Sequence, residues 1–536
     1  MKKILVILTL LMFVLSCGKA GGNGKTATFN MEAEPSSLDP QLLTDMGGFM
    51  ITGLTYEGLV RLNEKNEVVP AGAESWEKSK DGTVWTFKLR KGMKWSNGDA
   101  LTAKDYVNGM KRGLEPATAS EYAFLMFYIK GAEDYNGGKI KDFNQVGIKA
   151  KDDYTIEFTL SKPAPFFDKT LVMPVYYPIN AKALDQFKDK YATEANKSIY
   201  SGPYTIEKWT HDNEVILKKN PNYWNAANTK FDTLKALMVS DFNAATNYFE
   251  NKELDLTKIS LEKKASYVGK PELKEVPDGR VYYLAFNTKA PGLKNKKIRQ
   301  ALSLAIDRKN LVSNVLNGSG IVASGVVSEG TKGENDDFRK EVGDLYAQYK
   351  NVNVKALFDE GLKEEGLTPD KLNLTLTVDE KGSGKKEGEF YQSQWKEKLG
   401  LDVNVETITY KERLSRAKSG DFQIVRYAWG PDYADPMTYL EIFQTSAGQI
   451  NVAKFSDPEY DKLVEFAKKE QDNKARMDAM KKAEKILMDD FRYTGLYYEV
   501  ATYLQNPHLK GVVIRAVGNP IDFYACLLYT SPSPRD

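Results

Sequence analysis

The sequence predicts an α/β protein built from more than one domain, on three observations. The chain has 536 residues, too many for one compact core. It carries strand patterns of period two: from Val84 to Arg90, Trp85, Phe87 and Leu89 point one way and Thr86, Lys88 and Arg90 the other. It also carries amphipathic helices, clearest from Ile298 to Arg308, where Ile298, Ala301, Leu302, Ala305 and Ile306 form one apolar face.

The remaining elements follow along the chain. Asp81-Gly82 marks a turn ahead of the first of these strands. Thr102-Ala103-Lys104-Asp105 has the form of a helix capping box and leads into Tyr106, Val107 and Met110. Tyr154, Ile156, Phe158 and Leu160 repeat the strand alternation, and Asn295 is the expected cap of the 298–308 helix. Another helix starts at Asp457-Pro458, with proline at its first position and Tyr460, Leu463, Val464 and Ala467 on its apolar face. Most of these residues are scaffold.

Composition narrows the function. The chain is 42% hydrophobic and 28% charged, a composition that folds and is neither disordered nor membrane-embedded. Its 75 basic and 73 acidic residues nearly cancel, so no broad field for nucleic acid or anionic lipid is expected. Two cysteines, Cys17 and Cys526, make no disulfide framework. Two histidines, His211 and His508, leave little material for a histidine-rich metal site or a catalytic dyad; both read as surface or packing residues. Gly382-Ser383-Gly384-Lys385-Lys386 faintly resembles a phosphate loop, but Asp379 replaces its first glycine and Lys386 its Ser/Thr. No zinc or calcium motif occurs.

At the amino end, Lys2-Lys3, the apolar run Ile4 to Leu15 and Ser16-Cys17-Gly18 form a short export leader. The run is too short for a permanent membrane span. Leu15-Ser16-Cys17-Gly18 resembles a bacterial lipobox, in which Cys17 is lipidated. The Gly-rich stretch that follows reads as a flexible tether.

A series of motifs then runs in order through the body. They are Glu34-Pro35-Ser36-Ser37-Leu38-Asp39-Pro40-Gln41, Tyr56-Glu57-Gly58-Leu59-Val60, Ala73-Glu74-Ser75-Trp76, Trp85 to Arg90, and Trp95-Ser96-Asn97-Gly98-Asp99. Ser201-Gly202-Pro203-Tyr204, Lys219-Asn220-Pro221-Asn222-Tyr223-Trp224 and Ile298-Arg299-Gln300-Ala301-Leu302 continue it. Together they resemble the oligopeptide-binding proteins of the peptide/nickel ABC importer family, the bacterial extracellular solute-binding proteins of family 5.

That resemblance implies a periplasmic-binding-protein type II fold, with two hinged α/β lobes and an extra domain. It implies a leader over 1–17, a tether over 18–27 and a discontinuous first lobe from 28–57, 181–290 and 501–523. The extra domain takes 58–180 and the second lobe 291–500. The run from about Cys526 resembles translated sequencing-adapter read-through, so a non-native tail is expected over 524–536; a genuine disordered tail, which the Ser/Pro content would also suit, is the alternative. The implied protein is a monomeric, lipid-anchored receptor outside the cytoplasm that hands short peptides to membrane permease subunits, with no cofactor and no catalysis.

The resemblance also assigns a site. Asp432, three residues after Trp429, matches the position that binds a peptide's terminal ammonium. Trp429 matches a tryptophan covering a side-chain pocket. Arg426 matches an arginine that can meet a short peptide's carboxylate, a task its planar fork suits. Tyr122 and Met46 match positions lining the cleft, Met46 mainly through its backbone, and Tyr283 is a candidate of the same kind. One departure stands out: Gly430-Pro431 occupies a place where the family often has a small residue or cysteine, and proline removes a backbone donor. The competing expectations are a same-fold receptor for a dipeptide, modified peptide, nickel complex or oligosaccharide, a secreted hydrolase, and an envelope peptide sensor.

Overall fold

Two long strands organise the molecule. In the computed structural model, which describes residues 25–380, 383–524 and 527–528, Leu273–Phe286 and Tyr493–Gln505 run antiparallel for most of their length. The leader, Cys17, residues 18–24 of the expected tether and most of the expected tail lie outside the described residues; the tether is corrected at its end, since Thr26 and Ala27 already belong to the first strand. An 11-stranded sheet is built around the two long strands. Its members are β1 (Thr26–Asn30), β2 (Tyr204–Thr210), β3 (Glu214–Lys219), β4 (Thr233–Leu237), β5 (Leu256–Lys258) and β6 (Leu273–Phe286). Then come β7 (Gly320–Val322), β8 (Leu374–Asp379), β9 (Val403–Ile408), β10 (Ile424–Trp429) and β11 (Tyr493–Gln505). The order across the sheet is β9-β8-β10-β6-β11-β5-β1-β4-β3-β2, with β7 also on β11.

The register shows where this sheet divides. Leu273–Pro277 of β6 pairs with Val500–Leu504 of β11, and β5 joins β11 beside it. The register then shifts between Pro277 and Val281. Beyond the shift, Val281–Ala285 pairs with Tyr493–Tyr498 on one side and with β10 on the other. β6 and β11 therefore belong to both halves of the sheet, and the bulge at 277–281 separates the halves. Gly279 sits in that bulge at φ +76°, and a Cβ there would fall 2.8 Å from the Pro431 ring. Only glycine fits both demands.

Helices cover the half that contains β8, β9 and β10. The second buried cluster joins Leu284, Phe286, Ile298, Leu302, Leu374, Leu376, Tyr391 and Trp395 across this layer. Its helices include Lys296–Leu304 and Gly384–Leu399. A separate four-stranded antiparallel sheet has the order 73–78, 84–89, 155–159, 148–152. Its core rows are Trp85, Phe87 and Leu89 with Ile156 and Phe158, all buried.

Several local expectations are realised. Asp105 accepts from the Thr102 backbone N–H, completing the capping box of the 103–114 helix. Asn295 accepts from the N–H groups of Lys297 and Ile298, and Asp457 caps the helix that starts at Pro458. Two expectations are corrected. The 298–308 helix ends at Leu304, because Asp307 starts a new short turn by accepting from the Asn310 N–H. Tyr154 is exposed and lies in the turn before its strand, where its N–H is held by the Asp152 carboxylate.

Candidate ligand-binding site

The site is assembled from three distant parts of the chain. The first is helix α1 (Met46–Thr55). Asp45 caps it, its carboxylate accepting from the Gly48 N–H at 2.8 Å and the Ser36 N–H at 2.8 Å. Met46, the first helical residue, is 45% exposed, while Gly47 to Thr52 are buried.

The second part is the turn around Tyr122. Its ring stands edge-on to Phe49 of α1, with centroids 5.8 Å apart, and stacks on Phe124 at 5.8 Å. Burial pushes the Tyr122 hydroxyl well up, and the largest charge acting on it is Asp432. Tyr122 thus links α1 to the third part, the segment after β10.

That segment is held firmly. Asp435, fully buried, accepts from Arg476 at 2.5 and 3.0 Å and from Lys169 at 2.7 Å. Burial alone would raise its pKa, but the two cations outweigh burial and hold it far below the carboxylate range. Tyr433 stacks flat on Phe166 at 5.4 Å, and the hydroxyls of Tyr433 and Tyr128 both donate to Glu441, at 2.5 and 2.7 Å. Trp429 is half-buried and donates its indole N–H to the Thr438 carbonyl at 2.9 Å. The Asp432 N–H donates to the Thr438 hydroxyl at 3.1 Å.

The Asp432 carboxylate contrasts with these neighbours. Among the described residues it makes no hydrogen bond and no ion pair. Burial pushes its pKa up to about 7, and the negative Glu441 adds to the rise. A half-buried carboxylate near another acid, without a counter-ion, holds its proton more tightly than a free one.

Arg426 sits differently from its expected role. Strand alternation puts Arg426 and Ala428 on one face of β10, opposite Leu284 and Tyr282. On that face Arg426 is buried and forms a two-pronged ion pair with Glu387, Nε to Oε2 at 2.8 Å and Nη2 to Oε1 at 2.6 Å. Its guanidinium lies 4.3 Å from the Tyr282 ring centroid. Burial favours a raised Glu387 pKa, yet Arg426 and neighbouring hydroxyls hold it below the ordinary value. The carboxylate that Arg426 meets in this structure is thus one of the protein's own.

Tyr283 is likewise corrected. It is fully buried on the opposite face, among Tyr427, Phe443 and Tyr493, with centroids 5.8, 6.1 and 4.7 Å away. It is a core residue, and its strand neighbour Tyr282 stands on the Arg426 face instead. The structure thus brings Asp432, Tyr122 and the α1 helix of Met46 together, keeps Trp429 beside them and withdraws Arg426 and Tyr283. Sequence reasoning missed Glu387 and Glu441; both are lone glutamates in unremarkable contexts, and only the fold puts them against Arg426 and near Asp432.

Both histidines are on the surface, and His211 is drawn up in pKa by its bond to Glu34. No group of His, Cys, Asp and Glu suited to a metal occurs among the described residues, and no helix among them is long and apolar enough to cross a membrane.

A sheet divided into two halves that share two long strands is the architecture of the hinged, two-lobed solute-binding proteins. The chain belongs to the bacterial extracellular solute-binding proteins of family 5, whose "Middle" sequence model matches residues 67–451. It is 34% identical to the dipeptide-binding protein DppE of Bacillus subtilis over 94% of this chain and 93% of that one. Among solved structures it resembles the substrate-binding domain of an oligopeptide ABC transporter from Bacillus anthracis, with 34% identity and a TM-score of 0.77, covering 94% of this chain and 99% of the other. It also resembles Listeria monocytogenes OppA bound to peptide, with 31% identity and a TM-score of 0.76, covering 95% and 99%.

Proposed function

We propose that this protein is the receptor of an ABC importer for short peptides, and that it recognises the free amino terminus of its ligand through Asp432. The observation that carries the reading is the half-buried Asp432 carboxylate, which has no hydrogen-bond or ion-pair partner among the described residues and is pushed up to about 7. A peptide ammonium supplies the missing counter-charge. The rest of a bound peptide lies against Trp429, Tyr122 and the exposed end of α1 at Met46. Aromatic surfaces of this kind tolerate many side chains, and hydrated pockets adapt to each one.

The discontinuous lobes and extra domain expected from the sequence fit a cleft that closes about β6 and β11. Lipidation at Cys17 would hold the receptor at the outer face of a membrane, where it meets the permease. The work done is capture and delivery, with no bond made or broken. A sugar carries no cation to neutralise this acid and a peptide's free amino end does, so Asp432 favours peptides over that same-fold alternative.

Calorimetry tests this on residues 18–523, which leave out Cys17 and with it the lipid, after partial unfolding to strip any retained ligand. Tri- to pentapeptides with free amino ends should bind, and N-acetylated versions should not. Equal binding of acetylated peptides removes Asp432 from the site, and no binding of any peptide removes the peptide reading.

A further inference from the structure

Glu387 makes five hydrogen bonds with protein groups. It accepts from Arg426 Nε and Nη2, from the Ser383 hydroxyl at 2.5 Å, from Tyr391 at 2.7 Å and from Tyr497 at 3.0 Å. It has no exposed surface, and the Arg426 side chain is 5% exposed. Arg426 Nη2 also donates to the Tyr497 hydroxyl at 3.0 Å, while its Nη1 lies 3.9 Å from Asp379. Asp379 is in turn paired with Arg413 at 2.7 Å. Two buried carboxylates and two buried guanidinium groups therefore balance, leaving no surplus positive charge for an incoming anion.

From this closed network we infer that Glu387 is a resident carboxylate standing where a short ligand's carboxylate could otherwise meet Arg426, so that this arginine does not read the ligand's carboxyl end. The inference rests on the peptide reading above and concerns the opposite end of the ligand. Drawing Arg426 away from Glu387 would leave a fully buried carboxylate without its counter-ion, and an ion pair broken on one side is among the most unfavourable changes a core can suffer. A ligand carboxylate gains less from the arginine than Glu387 loses, since Glu387 is already desolvated and held in place by Ser383, Tyr391 and Tyr497. Glu387 thus acts as a specificity-setting residue. It relaxes selection at the carboxyl end, so peptides extended or blocked there become acceptable while the amino end stays fixed by Asp432.

The test compares tripeptides with a free carboxylate against the same tripeptides as C-terminal amides, by calorimetry, in three proteins: wild type, Glu387→Gln and the double variant R426Q/E387Q. The free-to-amide affinity ratio should be the same in wild type and double variant. It should rise by about tenfold or more in Glu387→Gln, where the arginine charge is released. A ratio that falls by tenfold from wild type to the double variant overturns the inference, as does no rise in Glu387→Gln. A crystal structure of the wild type with a bound tripeptide needs no variant. Glu387 should remain on Arg426, and a peptide carboxylate within hydrogen-bond distance of Arg426 refutes the assignment. Failure of both peptide forms to bind wild type overturns the peptide reading and this inference with it, whereas binding of free peptide with the wrong ratio overturns this inference alone.

Discussion

Replacing Asp432 with asparagine should weaken ligand capture and strengthen the empty fold at the same time. The substitution keeps the shape of the side chain and removes its charge. In the folded, ligand-free protein burial, then Glu441, raises the Asp432 pKa from 3.8 to about 7. The folded chain holds this proton more tightly than the unfolded chain, so ionising Asp432 costs stability. That cost is absent below the unfolded pKa, grows as pH rises from there, and is complete above the folded pKa. A shift of this size corresponds to roughly 4 kcal/mol. The Asn variant should therefore melt higher than wild type near pH 8 and match it near pH 4. Binding runs the other way, because an ammonium needs the carboxylate. The variant should lose about 2–5 kcal/mol of affinity for free peptides, or roughly 30- to 4,000-fold. In wild type the proton on Asp432 must leave before the ammonium binds, and above about pH 8 the peptide's own amine deprotonates. Affinity should thus rise by roughly twentyfold from about pH 5.5 to about pH 7.5. Calorimetry in buffers of different ionisation enthalpy reads both the affinity and the proton released. An affinity flat across this range, or an Asn variant that binds like wild type, refutes the assignment.

Other perturbations separate scaffold from site. Asp435→Asn leaves Arg476 buried beside a neutral partner and should cost about 3–5 kcal/mol in urea unfolding. Because Asp435 is held far below its ordinary pKa, its contribution is present above the unfolded value and lost as pH falls below it, so the variant should also show a flatter acid limb. Trp429→Ala removes a half-buried ring next to Asp432 and should weaken peptide binding by about tenfold, a hot-spot loss of 1–2 kcal/mol, with intrinsic fluorescence losing its response to ligand. Gly109→Ala places a Cβ 2.1 Å from the Tyr177 carbonyl and should destabilise by about 3 kcal/mol, seen as a lower urea midpoint.

What the sequence reveals about this fold is set by how local the cause is. The capping box at Thr102–Asp105, the Asn295 cap and the Asp457-Pro458 start each depend on two or three neighbouring residues, and all are present. The alternation of Trp85, Phe87 and Leu89 is legible because one face of that strand is buried and the other solvated. Tyr154 misleads because alternation continues by chance into a turn. The overall plan is harder to read, since β6 and β11 enter both halves of the sheet through pairings that span more than 200 residues. Among site residues, the resemblance points to Arg426 but carries no information about Glu387, 39 residues away on a helix. Period-two alternation alone separates Tyr282 from Tyr283, and choosing which of them faces the core requires the partners of both strands.

Charge matching is what distinguishes the ligand site from the scaffold in this protein. Asp435 has Arg476 and Lys169, Glu484 has Arg339, Glu387 has Arg426, Asp379 has Arg413 and Asp39 has Arg112. Each of these carboxylates is buried, and each has its counter-ion built into the chain, because an unmatched buried charge is costly. Evolution of a stable core removes such mismatches unless something else is gained by keeping one. Asp432, half-buried, has no such counter-ion among the described residues, and the charge of Glu441 adds to the rise in its pKa. The segment carrying it is clamped to residues 128–169 through Asp435 to Lys169, Tyr433 to Phe166 and Glu441 to Tyr128. On the function proposed above, the missing counter-charge is the ammonium of the ligand. The same logic underlies the inference drawn for Arg426, three residues before Trp429: its charge is already matched by Glu387.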